Sequence, residues 1–393
     1  MATGNPFRTA SFSNEFLPYS QSFIYLELTN HIRYRVEAFA RKRKSEKHFP
    51  FEPVHTAGNG NGIKAATKRF LYTTIRHSGN FSKIFKSRPF SLIHAQFGPS
   101  AVYAEPFAKK YDLPLICTFG GIDVAALEAP LLKKPDYWFY RVHAPSMFKR
   151  VDRVLAVSKN LADRLVAVGM PKDKVHVFYR GIEIPESVPE RNRTSDMPAE
   201  FLMVGRLVEK KGFFYGLKAF AEGIKEGKKA KMHIIGSGPM EKNLKNSVRK
   251  NNIEKHVSFS GQLSQKEVFS AMNKADILIV PSITPAGGDT EGVPNVIKEA
   301  NSRALPAVVS NHGGLPEVVN DGITGFITAE KDIRKLKDRM FELAGNPSLR
   351  IAMGKAARKL MCRDFDIKSK ISVLENHYDD VFHSYYASRR KSR

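Results

Sequence analysis

Short apolar runs alternate with helical patterns along this chain, and this alternation constrains the fold more than any other feature. In the first half the apolar runs are 91–97, 115–119, 154–157 and 175–178. A helical pattern follows the first run at 101–111, and Ser158 is the expected N-cap of a second helix that ends near Gly169. Strands that alternate with helices favour a parallel sheet covered on both faces.

The same alternation restarts after a polar, proline-containing stretch at 184–198, which is the best linker candidate. The apolar runs of the second half are 201–205, 231–236, 257–259, 277–280 and 307–310, and the helical patterns are 214–224 and 240–251. The simplest architecture is an α/β fold of two tandem Rossmann-like domains, 1–190 and 191–366. In such a pair we expect the ligand in the cleft between the domains, at the carboxyl ends of the strands.

The length and charge of the chain limit its domain number and its partners. A chain of 393 residues is long enough for two domains of ordinary size, and its formal net charge is +24. Residues 1–190 hold 28 Lys and Arg against 16 Asp and Glu, and residues 191–393 hold 35 against 23. Each part therefore carries +12, and no single basic tail explains the charge. Nucleotide sugars, anionic lipids and nucleic acid are the candidate anionic partners.

Residues 31–49 carry seven basic side chains against two acidic ones. We interpret this segment as a candidate patch for an anionic membrane surface, with a solvated helix end and loop as the alternative. The basic residues do not interleave with aromatic ones in a recognisable module, so no nucleic-acid partner is expected.

Targeting signals and cysteines favour a cytoplasmic protein. No signal-peptide pattern is visible at the N-terminus, and no apolar run approaches the roughly 20 residues that span a bilayer. The two cysteines, Cys117 and Cys362, make no disulfide framework. Any membrane contact is therefore expected to be peripheral, on the inner membrane face.

The most informative phrase for function covers residues 287–300, Gly-Gly-Asp-Thr-Glu-Gly-Val-Pro-Asn-Val-Ile-Lys-Glu-Ala. Glu291 precedes an expected helix start at Val293–Val296, and Glu299 lies about 7 Å along that helix from Pro294, which suits the first helical turn. Free N–H groups at a helix start form an anion site. This order of groups fits a sugar, a diphosphate and a ribose. The alternative is a surface helix with two solvated carboxylates.

The Glu-x7-Glu spacing resembles the donor-site signature of glycosyltransferase family 4, whose members are retaining enzymes with the GT-B fold. In that family the first Glu contacts hydroxyls of the transferred sugar and the second contacts the ribose of the nucleotide. The resemblance assigns these roles to Glu291 and Glu299. It also implies that the last segment, 367–393, is a helix that crosses back onto the first domain. An amphipathic pattern puts five residues on its apolar side: Ile371, Leu374, Tyr378, Val381 and Phe382.

A second motif, Gly205-Arg206-Leu207-Val208-Glu209-Lys210-Lys211-Gly212, lies between an apolar run and a helical pattern. Arg and Lys are the side chains that bind phosphate oxygens. In the family an Arg and a Lys at matching positions bind the donor diphosphate and stabilise the leaving group. The resemblance assigns this catalytic role to Arg206 and Lys211, with Lys210 as an adjacent competitor. The alternative is a basic surface turn.

Three further matches lie in the second half. The turn Gly236-Ser237-Gly238-Pro239 resembles the Gly-x-Gly-Pro turn that borders the nucleotide in the family, with a plain strand–helix turn as the alternative. Residues 312–317 and 321–326 match the C-terminal region of the family, and we interpret them as mostly structural. The expected nucleotide-binding residues are thus Glu299, Val293, Asn295, Val296, Gly205 and Gly238.

The first half resembles the family less closely. Residues 16–24 are similar to the first loop of enzymes that build exopolysaccharide or colanic-acid-type repeat units. His94 and Asp123 are candidates for the acceptor side, with a hydrogen-bonded structural histidine and a turn cap as the alternatives. The family usually has His where Gly120 stands, near the transferred sugar. Residues 59–62 are expected to be a flexible loop rather than a phosphate loop.

No metal or other cofactor is expected. Asp364-Phe365-Asp366 spells the metal motif of the other glycosyltransferase fold, but it lies before the last helix, away from the nucleotide-site motifs. Fixed positive charge at Arg206, at Lys211 and at the helix start can offset a diphosphate without Mg²⁺.

The sequence therefore predicts a retaining glycosyltransferase that moves a sugar from a nucleotide-diphosphate donor to a glycan or lipid-linked acceptor in polysaccharide biosynthesis. The alternatives are a nucleotide-sugar epimerase of the same fold and a catalytically degenerate protein that binds sugar nucleotides.

Overall fold

The structure divides into two compact units. It is a computed structural model and describes residues 7–58, 60, 62–128, 135–191, 194 and 196–390. The first unit combines Met1–Gly181 with Ile367–Arg393, and the second is Ile182–Asp366. Asn59 and Asn61 of the loop predicted to be flexible, and three residues of the linker candidate, lie outside the described residues.

Within the described residues, a seven-stranded parallel sheet in the order β3-β2-β1-β4-β5-β6-β7 forms the core of the first unit. Its strands are β1 (Phe7–Phe16), β2 (Tyr34–Arg43), β3 (Val54–Thr56), β4 (Leu92–Gln96), β5 (Leu115–Phe119), β6 (Arg153–Ala156) and β7 (Val175–Val177). The helices between them are α1 (Ser22–Thr29), α2 (Ile63–Ile75), α3 (Gly79–Ser87), α4 (Gly98–Lys110), α5 (Ile122–Glu128), α6 (Pro135–Arg150) and α7 (Lys159–Ala167).

The described part of the second unit has a six-stranded parallel sheet in the order β10-β9-β8-β11-β12-β13. Its strands are β8 (Ala199–Val204), β9 (Ala230–Ile235), β10 (Val257–Phe259), β11 (Ile277–Val280), β12 (Ala307–Ser310) and β13 (Gly325–Thr328). Its helices are α8 (Phe213–Lys225), α9 (Glu241–Lys250), α10 (Gln265–Lys274), α11 (Asn295–Ser302), α12 (Ile333–Gly345) and α13 (Pro347–Asp364).

The α/β fold and the predicted strands β4 to β12 are confirmed. These strands read as continuous apolar runs because parallel strands covered on both faces are buried on both sides. Strands β4, β5, β11 and β12 are buried at every position. The predicted N-cap is also correct, since the Ser158 side chain accepts a hydrogen bond from the Leu161 N–H at the start of α7.

Strands β1 to β3 and β13 were not predicted from the sequence. The alternative that treated 31–49 as a helix end and loop is wrong for Tyr34–Arg43, which forms β2 between β1 and β3. A buried charge obscured the strand: Glu37 is fully buried and accepts hydrogen bonds from Arg8 at 2.7 Å and from Arg88 at 3.0 Å. Buried charges are tolerated only when they are paired in this way.

Several basic side chains of 31–49 are held in ion pairs. Lys42 lies 2.8 Å from Glu15, and Arg43 lies 2.6 Å from Glu52. These pairs leave less unpaired positive charge on the segment than the sequence suggests. A membrane role for residues 31–49 therefore stays a prediction.

The last helix, α14 (Ile367–Arg390), packs on the sheet of the first unit. The side chains of Ile371, Leu374, Tyr378 and Val381 are buried together with strand residues that include Leu92, Ile116 and Leu155. The Phe382 ring lies against the Phe7 ring, with centroids 5.4 Å apart.

Glu375 anchors α14 to the segment before β2. It accepts hydrogen bonds from the backbone N–H groups of Ile32 at 2.8 Å and Arg33 at 3.0 Å, and from the Arg33 guanidinium at 3.1 Å. Burial raises the pKa of Glu375, but these donors and His31 outweigh it and hold the pKa at about 2. The ionised carboxylate therefore stabilises the folded first unit.

We expect Glu375→Gln to lower the free energy of unfolding at pH 7 by about 2 kcal/mol, because it removes a charged acceptor from several donors. The folded pKa is depressed below the ordinary value of 4.5, so this stabilisation is present above pH 4.5 and is lost as the pH falls towards 2. Urea unfolding followed by circular dichroism at pH 7, 5 and 3 measures both effects.

Asp380→Asn is the matched control on the same helix. Asp380 is 66% exposed and pairs with Arg153 at 3.1 Å, so its removal should cost less than about 1 kcal/mol. Two results would contradict the anchoring role of Glu375. One is an equal loss of unfolding free energy in the two variants. The other is a difference in unfolding free energy between wild type and Glu375→Gln that does not decrease from pH 5 to pH 3.

Candidate functional site

In the second unit, strand order reverses direction at β8. Strands β9 and β10 lie on one side of β8, and β11, β12 and β13 lie on the other. Parallel α/β sheets bind ligands at such a switch point, at the carboxyl ends of the strands. The loops that leave β8 and β11 at this point are 205–212 and 281–294. The structure thus brings the two predicted donor-site motifs to one edge of one sheet.

The loops after β8 and β9 approach each other closely at Gly238. The Leu207 N–H donates to the Ser237 carbonyl at 2.9 Å, and the Met240 N–H donates to the Leu207 carbonyl at 2.9 Å. Gly238 has φ +159°, and a Cβ there would lie 2.6 Å from the Leu207 carbonyl oxygen. Only glycine allows this approach of two backbones. A direct contact of Gly205 or Gly238 with a nucleotide stays a prediction.

The loops after β8 and β11 are joined in a similar way. Gly212 has φ +64°, and a Cβ there would lie 1.7 Å from the Pro281 carbonyl oxygen. The Ile283 N–H donates to the Lys210 carbonyl at 2.8 Å. These contacts fix the short 3₁₀ turn Glu209–Lys211, and therefore the positions of its two lysines.

Lys211 and Glu291 form an ion pair between these loops. The Lys211 Nζ lies 3.1 Å from the Glu291 Oε1, whereas the Lys210 Nζ lies 2.9 Å from Asp289 and 3.9 Å from Glu291. Burial raises the pKa of Glu291, but Lys211 and then Lys210 outweigh it and hold the pKa below its usual range. Glu291 is therefore ionised at neutral pH although it is only 9% exposed.

The Glu291 carboxylate keeps an acceptor position open. The buried Oε1 lies 3.1 Å from the Lys211 ammonium, and within the described residues it accepts no other hydrogen bond. A carboxylate oxygen can accept more than one hydrogen bond. A hydroxyl or another donor of a ligand would fill the open position.

His312 holds the backbone of Glu291. Its Nε2 accepts the Glu291 N–H at 3.0 Å, so its Nδ1 carries the proton that is donated to Glu330 at 2.7 Å. Glu330 also accepts from the Thr284 N–H at 2.8 Å. Burial raises the pKa of Glu330, but the donors of Thr284 and His312 outweigh it and hold the pKa below its usual range.

The sequence interpretation called residues 312–317 mostly structural and did not connect His312 or Glu330 to Glu291. The only sequence signal was the polar His312, two residues after the end of a buried strand and next to two glycines. Gly313 has φ +52°, and a Cβ there would lie 2.1 Å from the Glu291 carbonyl oxygen. His312 and Gly313 therefore fix the backbone position of Glu291.

Helix α11 begins at Asn295, within the predicted start at Val293–Val296. Pro294 is its N-cap, with φ −61° and ψ 133°, and not a residue of the first turn, because its ψ is extended. The Pro294 side chain accepts no hydrogen bond, so it does not cap the N–H groups of Asn295 and Val296 in the first turn. Val293 precedes the helix. Glu299 lies within it, and burial raises the pKa of Glu299 against the opposing effect of Lys298 and Arg303.

Arg206 lies exposed in the same loop as Lys211. Within the described residues, neither a hydrogen bond nor an ion pair of its guanidinium is present. Its planar group of donors is therefore available for an anion at the switch point.

In the first unit, the two acceptor-side candidates are engaged in the fold. His94 is 1% exposed, and its ring nitrogens lie 2.6 Å from the Tyr378 hydroxyl and 2.8 Å from the Thr118 hydroxyl. Burial lowers the pKa of His94 to about 4. This geometry favours the structural alternative for His94, and an acceptor role stays a prediction.

Asp123 caps the turn before α5. Its carboxylate accepts the N–H groups of Gly121 at 2.8 Å and Gly98 at 3.1 Å, and it is fully buried. Burial raises the pKa of Asp123 despite these donors. The turn-cap alternative describes this geometry, and a ligand contact stays a prediction.

The Phe97 ring occupies the space beside Gly120. A Cβ at Gly120 would lie 2.5 Å from the Cε1 atom of Phe97. Phe97 itself has φ +72°, a conformation that non-glycine residues rarely adopt. A larger side chain at position 120 would therefore have to displace the Phe97 ring.

The described residues contain no group of three or more His, Cys, Asp or Glu that could hold a metal ion. Asp364 of the Asp-x-Asp phrase ends α13 and pairs with Arg363 at 2.6 Å. No described helix has the length and apolar character to cross a bilayer.

We expect Gly313→Ala to destabilise the second unit by about 3 kcal/mol or more, because the added Cβ meets the Glu291 carbonyl and the backbone has positive φ. Gly322→Ala is the control: Gly322 has φ +75° but nothing within 4 Å of its Cβ position, so it should cost only about 1 kcal/mol. Thermal and urea unfolding compare the two. Similar losses of stability in the two variants would show that Gly313 does not pack tightly against Glu291.

Two family models together match most of the chain. The model described as "Glycosyltransferase Family 4" matches residues 28–185, and the model described as "Glycosyl transferases group 1" matches residues 186–360.

Curated relatives match over a large part of the chain. The colanic acid biosynthesis glycosyltransferase WcaL of Escherichia coli K12 is 31% identical over 278 residues, which cover 69% of this chain and 66% of the relative. The amylovoran biosynthesis glycosyltransferase AmsK of Erwinia amylovora is 30% identical over 252 residues, which cover 64% of this chain and 60% of the relative. The match thus spans less than two thirds of either relative's length.

Solved structures share the fold. Sucrose-phosphate synthase of Thermosynechococcus elongatus superposes with a TM-score of 0.73 at 16% identity, covering 96% of this chain and 100% of that one. Anabaena HepE, solved in complex with UDP, gives the same TM-score of 0.73 at 16% identity, also covering 96% of this chain and 100% of that chain. With both family models matched, the chain belongs to glycosyltransferase family 4 and has the GT-B fold.

Proposed function

We propose that this protein is a retaining glycosyltransferase that transfers a sugar from a nucleotide-diphosphate donor to a glycan or lipid-linked acceptor in polysaccharide biosynthesis. The buried, ionised Glu291 beside Lys211 at the switch point of the second unit carries this proposal. The names of WcaL and AmsK, which refer to colanic acid and amylovoran biosynthesis, support the pathway class. HepE, solved with UDP-glucose, supports the donor class.

In this proposal, positive charge at the switch point binds the donor diphosphate. Lys211 has a flexible stem and a compact charge, and the exposed Arg206 can offer a planar fork of donors to phosphate oxygens. The N–H groups at the start of α11, at Val293, Asn295 and Val296, complete the anion site. Negative charge grows on the leaving diphosphate as its bond to the sugar breaks, and preorganised donors stabilise that charge most.

The two glutamates orient the rest of the donor. The open acceptor position of Glu291 suits a hydroxyl of the sugar, and the His312–Glu330 pair keeps its backbone in place. Glu299, five residues into α11, suits the ribose hydroxyls. Gly205 and Gly238 let backbone approach the nucleotide closely.

The proposed reaction proceeds on one face of the sugar. The bond between the anomeric carbon and the donor phosphate oxygen breaks while the acceptor oxygen approaches from the same face, and the leaving phosphate oxygen takes the acceptor proton. Retention of the anomeric configuration follows, and proton NMR of the product measures it. An inverted product would refute this step.

We expect Glu291→Gln, Arg206→Ala and Lys211→Ala each to lower the rate of transfer by about a hundredfold or more, because each removes a group that acts on the transition state. A thermal-shift screen of UDP-, GDP- and ADP-sugars first identifies the donor. Release of the nucleoside diphosphate in the presence of a lipid extract that contains acceptors then measures turnover.

Lys210→Ala is the matched control for Lys211→Ala. Lys210 is adjacent in sequence, but its nearest acidic partner is Asp289 at 2.9 Å. Its removal should lower the rate less than about tenfold. Near-normal turnover of Glu291→Gln, or a larger loss for Lys210→Ala than for Lys211→Ala, would refute the assignment. Isomerised donor without transfer would identify an epimerase instead.

We also propose that the diphosphate charge is offset without a metal ion. Fixed charges from Arg206, Lys211 and the start of α11 take that role. Turnover in excess EDTA should therefore stay within about twofold of the untreated rate, since no step depends on a divalent ion. A full loss that Mg²⁺ restores would show that a metal takes part.

A further inference from the structure

Helix α2 of the first unit presents large apolar side chains to solvent. Ile63 is 87% exposed, Phe70 66%, Leu71 44% and Ile75 62%. Single exposed apolar residues are normal on proteins, but several on one helix mark an interaction surface.

The exposed residues of α2 form two adjacent rows, because residues three and four apart are neighbours on a helix. The rows are Ile63, Thr67, Phe70 and Thr74, and Lys64, Lys68, Leu71 and Ile75, and all eight are exposed. On the opposite side Tyr72 is 1% exposed and holds the helix to the core. The outward face therefore combines four apolar side chains with two lysines and two threonines.

Helix α6 is linked to α2 through α4 and also carries exposed apolar side chains. The Tyr72 ring stacks on Tyr103 of α4 at 5.1 Å, and Tyr103 stacks on Phe139 of α6 at 5.8 Å. On the outward side of α6, Trp138 is 68% exposed and Val142 is 55% exposed.

A carboxylate of α4 also links α2 to α6 by hydrogen bonds. Glu105 accepts from Arg76, directly after α2, at 3.0 Å, and from Ser146 of α6 at 2.6 Å. Helices α2 and α6 are thus fixed on either side of α4, and we call their outward faces the α2–α6 surface.

The charge of this surface selects its partner. The sequence of α2 contains no acidic residue, and Lys64 and Lys68 are exposed. The net charge of the chain is +24. A second copy of the chain would set these lysines against themselves across a two-fold axis, which is unfavourable. Apolar groups next to lysines, with an exposed tryptophan nearby, fit the headgroup region of an anionic bilayer.

We propose that the α2–α6 surface docks the protein on an anionic membrane, with Ile63, Phe70, Leu71 and Ile75 entering the boundary between headgroups and acyl chains. The membrane contact then lies at residues 63–75, not at 31–49, where Lys42 and Arg43 are paired. This proposal rests on the proposed function at one point: a lipid-linked acceptor would lie in such a membrane.

The test uses the full chain and sedimentation with phosphatidylcholine vesicles, with and without phosphatidylglycerol. Wild type should bind the anionic vesicles more tightly. The variant Ile63→Ser/Phe70→Ser/Ile75→Ser should lose about tenfold or more in affinity, because apolar area no longer leaves water. Lys64→Gln/Lys68→Gln should weaken binding to the anionic vesicles only.

Control variants test whether binding depends on the position of the changed residues, and whether each variant is folded. Ile32→Ser/Ile323→Ser removes apolar residues that are 73% and 61% exposed elsewhere, and Lys44→Gln/Lys47→Gln removes charge from 31–49; both should bind like wild type. Circular dichroism checks folding. The shift of the melting temperature by UDP reports the donor site independently of vesicle binding, so a failure of one proposal does not imply failure of the other.

Three outcomes would overturn the membrane proposal. They are absence of wild-type binding to anionic vesicles, equal binding by the triple serine variant, and a wild-type dimer that light scattering shows to become a monomer in that variant.

Discussion

The candidate site depends on keeping a carboxylate ionised in a buried position. Removing Glu291 from water opposes its charge, and the ammonium of Lys211 at 3.1 Å, with Lys210 behind it, outweighs that effect. The same arrangement places opposite charges side by side, one suited to sugar hydroxyls and the other to phosphate. In the proposed function, a donor that brings a diphosphate and a sugar would contact both members of the pair.

This ion pair depends in turn on close backbone contacts. Gly212 lies against Pro281, Gly238 against Leu207 and Gly313 against Glu291, each at a distance that excludes a Cβ. These three contacts join the loops of β8, β9, β11 and β12 at one edge of the sheet. Glycines in the motifs therefore fix the charged side chains indirectly, even where no glycine touches a ligand.

The sequence allowed the fold and the donor-site motifs to be predicted because both depend on local patterns. Strands such as β5 and β11 are buried on both faces, so their apolar runs were visible. Strand β2 was missed because Glu37 lies in its interior, and its partners Arg8 and Arg88 are 29 and 51 residues away. His312 and Glu330 were missed for the same reason: their link to Glu291 is made by the fold and not by a spacing.

Gly120, where the family usually has His, lies beside a residue of unusual backbone conformation at the switch point of the first unit. There the order of strands reverses at β1, next to β4, and the residue after each of these strands has positive φ: Leu17 at +53° and Phe97 at +72°. Such backbone costs about 1–3 kcal/mol and persists only where packing enforces it. The Phe97 ring packs edge-on to Phe23 at 6.4 Å and fills the space beside Gly120. An aromatic ring from the neighbouring loop thus lies where a side chain at position 120 would project.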